Sequence, residues 1–192
     1  MAGIEEEKKE VSLVVEDGSC VPFANSYVSL DFADSYMLNT GRTGWAEKTD
    51  NEKKACLINA TSYIDRTYTK VGWKGQKKYH RHQSLCFPRV ELFDKDGDEV
   101  AGIPEELKKA VCEAAFISMT SSLFSVKDAS GSVKKQKVDV IEVEYYSDGE
   151  ASSEYVSRFT VLDYLLSDFY KSKTDKNRVK RAIHTDLLGG RL

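Results

Sequence analysis

Between Arg66 and His82 the chain carries six Lys or Arg side chains, Arg66, Lys70, Lys74, Lys77, Lys78 and Arg81, and no acidic residue. Tyr68, Trp73 and Tyr79 are interleaved with them. Cations neutralise phosphates and aromatic rings offer faces to bases, so this mixture suits single-stranded nucleic acid held by charge and stacking. It also fits a helix end followed by a solvated loop whose aromatic rings pack inward. The residue types alone leave both readings open.

A second basic segment closes the chain. Lys171–Leu192 holds seven Lys or Arg against Asp175 and Asp186, a side-chain balance of +5 that leaves −8 on the rest of a chain whose formal charge is −3. Lys171, Lys173, Lys176, Arg178, Lys180 and Arg181 precede the apolar Ile183, Leu187 and Leu188, and Arg191 follows a glycine pair. A tail built only for disorder has no use for that apolar patch. The segment reads either as an arm that docks on an acidic, partly apolar cleft of a partner or as plain disorder.

Other chemistry-bearing types are present without the spacing that chemistry needs. Asp94, Asp96, Gly97 and Asp98 lack the third alternating ligand and the later glutamate of an EF-hand, and suit an Asp-Gly surface turn. His80, His82 and Cys86 have no second ligand pair at zinc spacing and suit a solvated basic loop. Glu142 and Glu144 share one face of an alternating stretch, as they would in any solvated hairpin. GxSxG, Gly-rich phosphate-loop and HExxH patterns are absent, and His184 falls in the basic tail. The expectation is a protein with no catalytic residue, no metal and no cofactor, one that acts by fitting against partners.

The elements that must position the first basic segment are legible from periodicity. Ser29 with Asp31 and Asp34, then Phe32, Ala33, Tyr36 and Met37 before Gly41, predicts a short capped helix. Asp50 is placed to cap a second helix, with Leu57, Ala60, Ile64 and Tyr68 on one stripe ending before Gly72. Pro104, Glu105 and Glu106 open a third, central helix, whose apolar residues Leu107, Ala110, Val111, Ala114, Phe116, Ile117, Met119 and Leu123 cover more than one stripe. Thr160 and Asp163 fit a capping box before Leu162, Leu165, Leu166 and Phe169.

Between the third and fourth helices the period changes to two. Ile141, Val143 and Tyr145 alternate with glutamates after Lys134, Lys135 and Lys137, which predicts a β-hairpin near 132–146 turning at Asp139. Two strands alone are marginal in water, so a neighbour is expected to complete them. Cys20, Cys56, Cys86 and Cys112 show no CxxC spacing and read as reduced, structural thiols. The most apolar stretch, Val111–Met119, is far short of the roughly 18 residues a membrane helix needs, and the charged residues 1–10 do not form a secretory signal. The fold expected is mainly α: a small bundle of about four helices with an inserted hairpin and an extended C-terminal arm. Its divisions are a flexible N-terminus at 1–10, a helical domain at 11–170 and the basic arm at 171–192.

A resemblance covers most of the chain, from about Val14 to Leu166. It runs through Val14–Asp17 with Gly18, Ala24-Asn25-Ser26-Tyr27-Val28-Ser29, Ala60-Thr61-Ser62-Tyr63-Ile64-Asp65, Trp73-Lys74-Gly75, Phe87-Pro88-Arg89, Asp94-Lys95-Asp96-Gly97, Ile103-Pro104 and Val138–Tyr145. In this order the motifs resemble a family of small tailed-phage proteins labelled DnaT-like single-stranded-DNA-binding proteins, found among virion head genes. The family commonly has tryptophan where this chain has Phe87, and a glycine near Asp139 where this chain has none. The order of helices, hairpin and arm is also similar to that of head-to-tail connector, or adaptor, proteins. That similarity implies a structural virion protein forming a ring of about twelve copies beneath the portal and joining it to the next neck or tail component. The domain would line a channel for double-stranded DNA, and the arm, Lys171–Leu192, would enter the portal. The protein would be made in the host cytoplasm and reside at the head-to-tail junction. The DnaT-like label implies the alternative, single-strand binding during replication through Arg66–His82.

Overall fold

The computed structural model describes residues 10–124, 135–138, 141–143 and 159–171. Four α-helices carry the fold: α1 (Leu30–Asn39), α2 (Asp50–Val71), α3 (Glu105–Ser118) and α4 (Thr160–Leu166). The named strands make two antiparallel pairs, β1 (Gln76–Lys77) with β2 (Arg89–Val90) and β3 (Lys135–Val138) with β4 (Ile141–Val143). The molecule is mainly α with a hairpin between the third and fourth helices, as the periodicity predicts. Val138 stands opposite Ile141 and Lys135 opposite Val143. The outer residues of the expected hairpin, including Lys134, Glu144 and Tyr145, lie outside the described residues, as do 1–9 and 172–192.

Local chemistry sets the helix ends, not always at the expected residue. Ser29 caps α1 by accepting the Phe32 amide at 3.2 Å. The cap of α2 is Thr49 rather than Asp50. Thr49 accepts the Glu52 amide while the Glu52 carboxylate accepts the Thr49 amide at 2.9 Å, a reciprocal pair that Asp50 cannot form from inside the first turn. α4 also departs from the expected capping box. It begins at Thr160 after Phe159, which makes no side-chain cap bond, and Asp163 instead accepts the Tyr68 hydroxyl at 2.8 Å. Its stripe runs past the helix, for Phe169 is buried beyond the last turn.

α3 is central, packing against α2, α4 and α1. Ala110, Ala114 and Ala115 let neighbouring backbones approach, while Leu107, Val111 and Cys112 fill the gaps between them. α2 contributes Leu57, Ala60, Tyr63, Ile64 and Tyr68, and α4 adds Leu162 and Leu166. Truncating one such side chain, Leu107 or Ile64, costs about 2 to 5 kcal/mol. The one glutamate buried in α3, Glu113, accepts the Tyr36 hydroxyl at 2.9 Å and pairs with Arg42 at 2.8 Å, so its charge is answered on both oxygens.

All four cysteines are free thiols. Burial pushes Cys112 up to about 12, which keeps it protonated and inert. Among the described residues no helix is long and apolar enough to cross a membrane.

Candidate nucleic-acid interface

α2 ends at Gly72, whose φ of 106° turns the chain out of the helix. The return from Trp73 to Val90 is a loop held by internal polar bonds. Its two arms pair as β1 and β2, with Gln76 opposite Val90 and Lys77 opposite Arg89. Gly75 makes this approach possible: a Cβ there would stand 2.5 Å from the Val90 carbonyl oxygen.

Arg89 is the loop's staple. Its guanidinium donates from Nε to the Lys74 carbonyl at 2.7 Å, from Nη2 to Gly75 at 2.8 Å and from Nη1 to Cys86 at 3.0 Å. Burial is the main reason its pKa falls. Spent on three carbonyls, this cation is not free for a ligand. Buried Gln83 plays the same part on the other side, donating to the Leu85 and Pro88 carbonyls at 3.0 Å and accepting the Tyr79 amide at 3.3 Å. The loop is also docked to the end of α4, through Lys74 N to Phe169 O and Lys171 N to Gly72 O, both 2.8 Å.

Under the loop lies an aromatic cluster. Phe87 meets Trp73 edge-on at 5.0 Å, Tyr27 at 6.1 Å and Phe169 at 6.3 Å, and Trp73 packs on Tyr68 at 5.4 Å. Beside it the Asp65 carboxylate accepts the Tyr27 hydroxyl at 2.7 Å and the Cys86 amide at 2.9 Å. Burial raises the Asp65 pKa, and these two donors oppose the rise. Burial also lifts Tyr27 well above the usual phenol range, so its proton stays in the bond.

The predicted basic and aromatic residues therefore separate into two groups. Trp73 is 6% exposed and Tyr68 is fully buried, so neither ring can receive a base. The inward-packing alternative holds for both. Tyr79 alone of the three stays on the surface, at 37% exposure, with the Lys78 ammonium over one face at 5.2 Å. Lys70, Lys78 and Arg81 are exposed and Lys74 and Lys77 half-buried, joined by exposed His80 and His82 on the short 3-10 turn His80–His82. Arg66 is exposed too, its guanidinium 5.7 Å from the centre of the Phe124 ring. The result is an internally hydrogen-bonded loop that displays cations and one exposed aromatic ring, with Lys78 over that ring.

The remaining candidates settle into ordinary structure. Asp94 accepts the amides of Asp96 and Asp98, both at 2.9 Å, which makes a surface turn of the Asp-Gly segment. Cys86 contacts the Thr69 hydroxyl at 3.3 Å. Of the proposed docking arm only Lys171 is described, and it is exposed. Lys173, Lys176, Arg178, Lys180, Arg181, Ile183, Leu187, Leu188 and Arg191 lie outside the described residues. No local pattern in the sequence marks Arg89 and Gln83 as organisers of the loop. A lone arginine after Phe87-Pro88 was the available sign, but only geometry reveals its three carbonyl partners.

Residues 11–182 match the model of the family described as "Putative DnaT-like ssDNA binding protein". The chain belongs to this family. No curated protein and no solved structure matches it. The matched span contains the whole basic loop and all four helices of this DnaT-like chain.

Proposed function

We propose that the protein is a binding protein rather than an enzyme, and that it holds single-stranded DNA on the exposed face of the 72–90 loop. Lys70, Lys74, Lys77, Lys78 and Arg81 meet phosphates, and Tyr79 stacks on a base. The observation that carries this reading is the cation-rich loop itself: the sequence from Arg66 to Val90 holds no acidic residue, although the exposed Glu91 carboxylate accepts Gln76 Nε2 at its edge, and the chain belongs to a family described by that activity. Because Trp73 and Tyr68 are buried, charge must supply most of the affinity.

Such binding is steeply salt-dependent. Each neutralised phosphate of a single strand contributes about −0.7 to the slope of log K against log salt, so about five contacts give a slope near −3.5. Anisotropy titrations of a labelled oligo-dT across ionic strength measure it. Joint replacement of Lys77, Lys78 and Arg81 by Glu is expected to abolish binding while the fold survives. A wild-type protein that fails to bind at low salt overturns the reading, as does a triple variant that binds normally.

A second reading is the head-to-tail adaptor: a homomeric ring beneath a phage portal, passing double-stranded DNA and joining the next neck or tail component, located in the virion. Burial of Trp73 and Tyr68 supports it, because most of the anticipated stacking platform is core. The charge split supports it as well, with +5 on Lys171–Leu192. The family's description favours the first reading. Cross-linking mass spectrometry on purified particles separates the two. Links from Lys171, Lys173, Lys176 or Lys180 to the portal support the adaptor, and absence of the chain from clean particles removes it.

A further inference from the structure

We infer that Phe23 is a base-stacking residue of the interface, displayed by a strained turn that touches the basic loop; this rests on the single-strand reading above. Phe23 is 87% exposed, the most exposed of the large apolar side chains described. The backbone beneath it is not loose. The Ala24 amide donates to the Val21 carbonyl at 3.2 Å, which closes a four-residue turn with Pro22 second and Phe23 third. Phe23 has φ of 60°. A turn with proline second and positive φ third is the type II pattern, whose third position favours glycine or asparagine. An aromatic residue is disfavoured there, and its ring gains no burial in return.

The surroundings hold the turn in place. The buried Glu16 carboxylate accepts the Gly18 and Cys20 amides at 2.9 Å and the Val21 amide at 3.1 Å, and Ala24 and Ser26 are buried immediately after the turn. The strain at Phe23 is thus imposed by a fixed frame on a residue that stays 87% exposed. Backbone strain of this kind gathers at functional sites, because only the surroundings maintain it.

The same loop meets the basic one. Cys20 Sγ contacts the His82 carbonyl at 3.5 Å, and the His82 amide donates to the Tyr79 carbonyl at 3.1 Å. Three residues of chain span at most about 11 Å, which bounds how far Phe23 lies along the chain from the Cys20 contact with His82. Of the four non-glycine residues with positive φ among the described residues, Cys20, Phe23 and His80 fall in these two touching loops. Two exposed aromatic rings, Phe23 and Tyr79, the latter with Lys78 over its face, would restore the stacking capacity that burial of Trp73 removes. A single strand is the occupant whose charge complements the basic loop's cations and whose bases use both rings.

The test is Phe23→Gly and Phe23→Trp in the full chain. Glycine relieves the turn, so Phe23→Gly is expected to match or exceed the wild-type Tm while losing oligo-dT affinity by about 5-fold to 100-fold. Phe23→Trp is expected to retain affinity, and its emission is expected to be quenched by oligo-dT; the native Trp45 and Trp73 are buried. Wild-type binding with undiminished affinity in Phe23→Gly overturns the inference and leaves the basic loop as the interface. Conversion of an oligomer to a smaller species by Phe23→Gly, at unchanged affinity, assigns the ring to self-association and also overturns it. Failure of the wild type to bind overturns both proposals.

Discussion

The Tyr27 hydroxyl donates to the Asp65 carboxylate at 2.7 Å and at the same time accepts the amides of Cys86 at 2.9 Å and Phe87 at 3.1 Å. One phenol thereby joins the segment before α1, the middle of α2 and the far end of the basic loop. Tyr27→Phe preserves the ring contact with Phe87 and removes only the oxygen. It leaves Asp65 short of a donor and the Phe87 amide without its acceptor. A buried polar group left unpaired costs about 1 to 3 kcal/mol. Thermal denaturation of Tyr27→Phe is expected to show that loss, with the unfolding transition remaining cooperative.

Asp65 gives the molecule a signed pH dependence. Burial is the largest influence on it and raises its pKa above the ordinary 3.8. A carboxyl whose folded pKa is raised contributes stability fully below its unfolded pKa, and that contribution is lost as pH rises through the folded value. Asp65→Asn removes this titration. Wild-type stability relative to Asp65→Asn is therefore expected to rise as pH falls from neutrality, levelling off below about 3.8. Paired denaturation curves at several pH values measure it. A difference that shrinks on acidification would mean that the Tyr27 and Cys86 donors outweigh burial.

The staple and the glycine beneath it make a paired prediction about the loop. Arg89→Lys keeps the charge but cannot reach the Lys74, Gly75 and Cys86 carbonyls with one ammonium. It is expected to lower Tm and weaken oligonucleotide binding although net charge is unchanged. Gly75→Ala is expected to do the same by another route, since its Cβ would meet the Val90 carbonyl oxygen at 2.5 Å and φ is +63°. If either variant binds normally with a lowered Tm, loop rigidity is irrelevant to the interface.

What could be read beforehand follows the range over which each signal acts. The stripes of α2 and α3 are local and periodic, so Leu57, Ala60, Ile64, Leu107 and Ala110 were legible as core, and each is buried. Caps were legible to within a residue, because Thr49 and Asp50 are both good cap types and only the reciprocal bond with Glu52 chooses between them. The loop was legible as basic but not as a structure. Whether Trp73 stacks on a ligand or on Phe87 depends on residues 14 positions apart closing through an arginine, and no short-range pattern encodes that. Phe23 carries no such signal, because an isolated phenylalanine beside a proline is compatible with core or surface and only its 87% exposure decides.

Trp73 and Tyr79 look alike in sequence, two aromatics among lysines, and the structure assigns them opposite roles. Trp73 packs on Tyr68 and Phe87 with 6% of its surface exposed. Trp73→Ala is expected to cost about 3 to 5 kcal/mol, seen as a large fall in Tm. Tyr79 keeps its ring at the surface under the Lys78 ammonium, so Tyr79→Ala is expected to leave Tm within a few degrees of wild type. Its affinity for oligo-dT is expected to fall by a factor on the order of ten. The informative comparison is the ratio of the two effects in each variant. Equal losses of Tm at both positions would mean that Tyr79 is packed as firmly as Trp73, and the loop would then have no exposed ring of its own to offer a base.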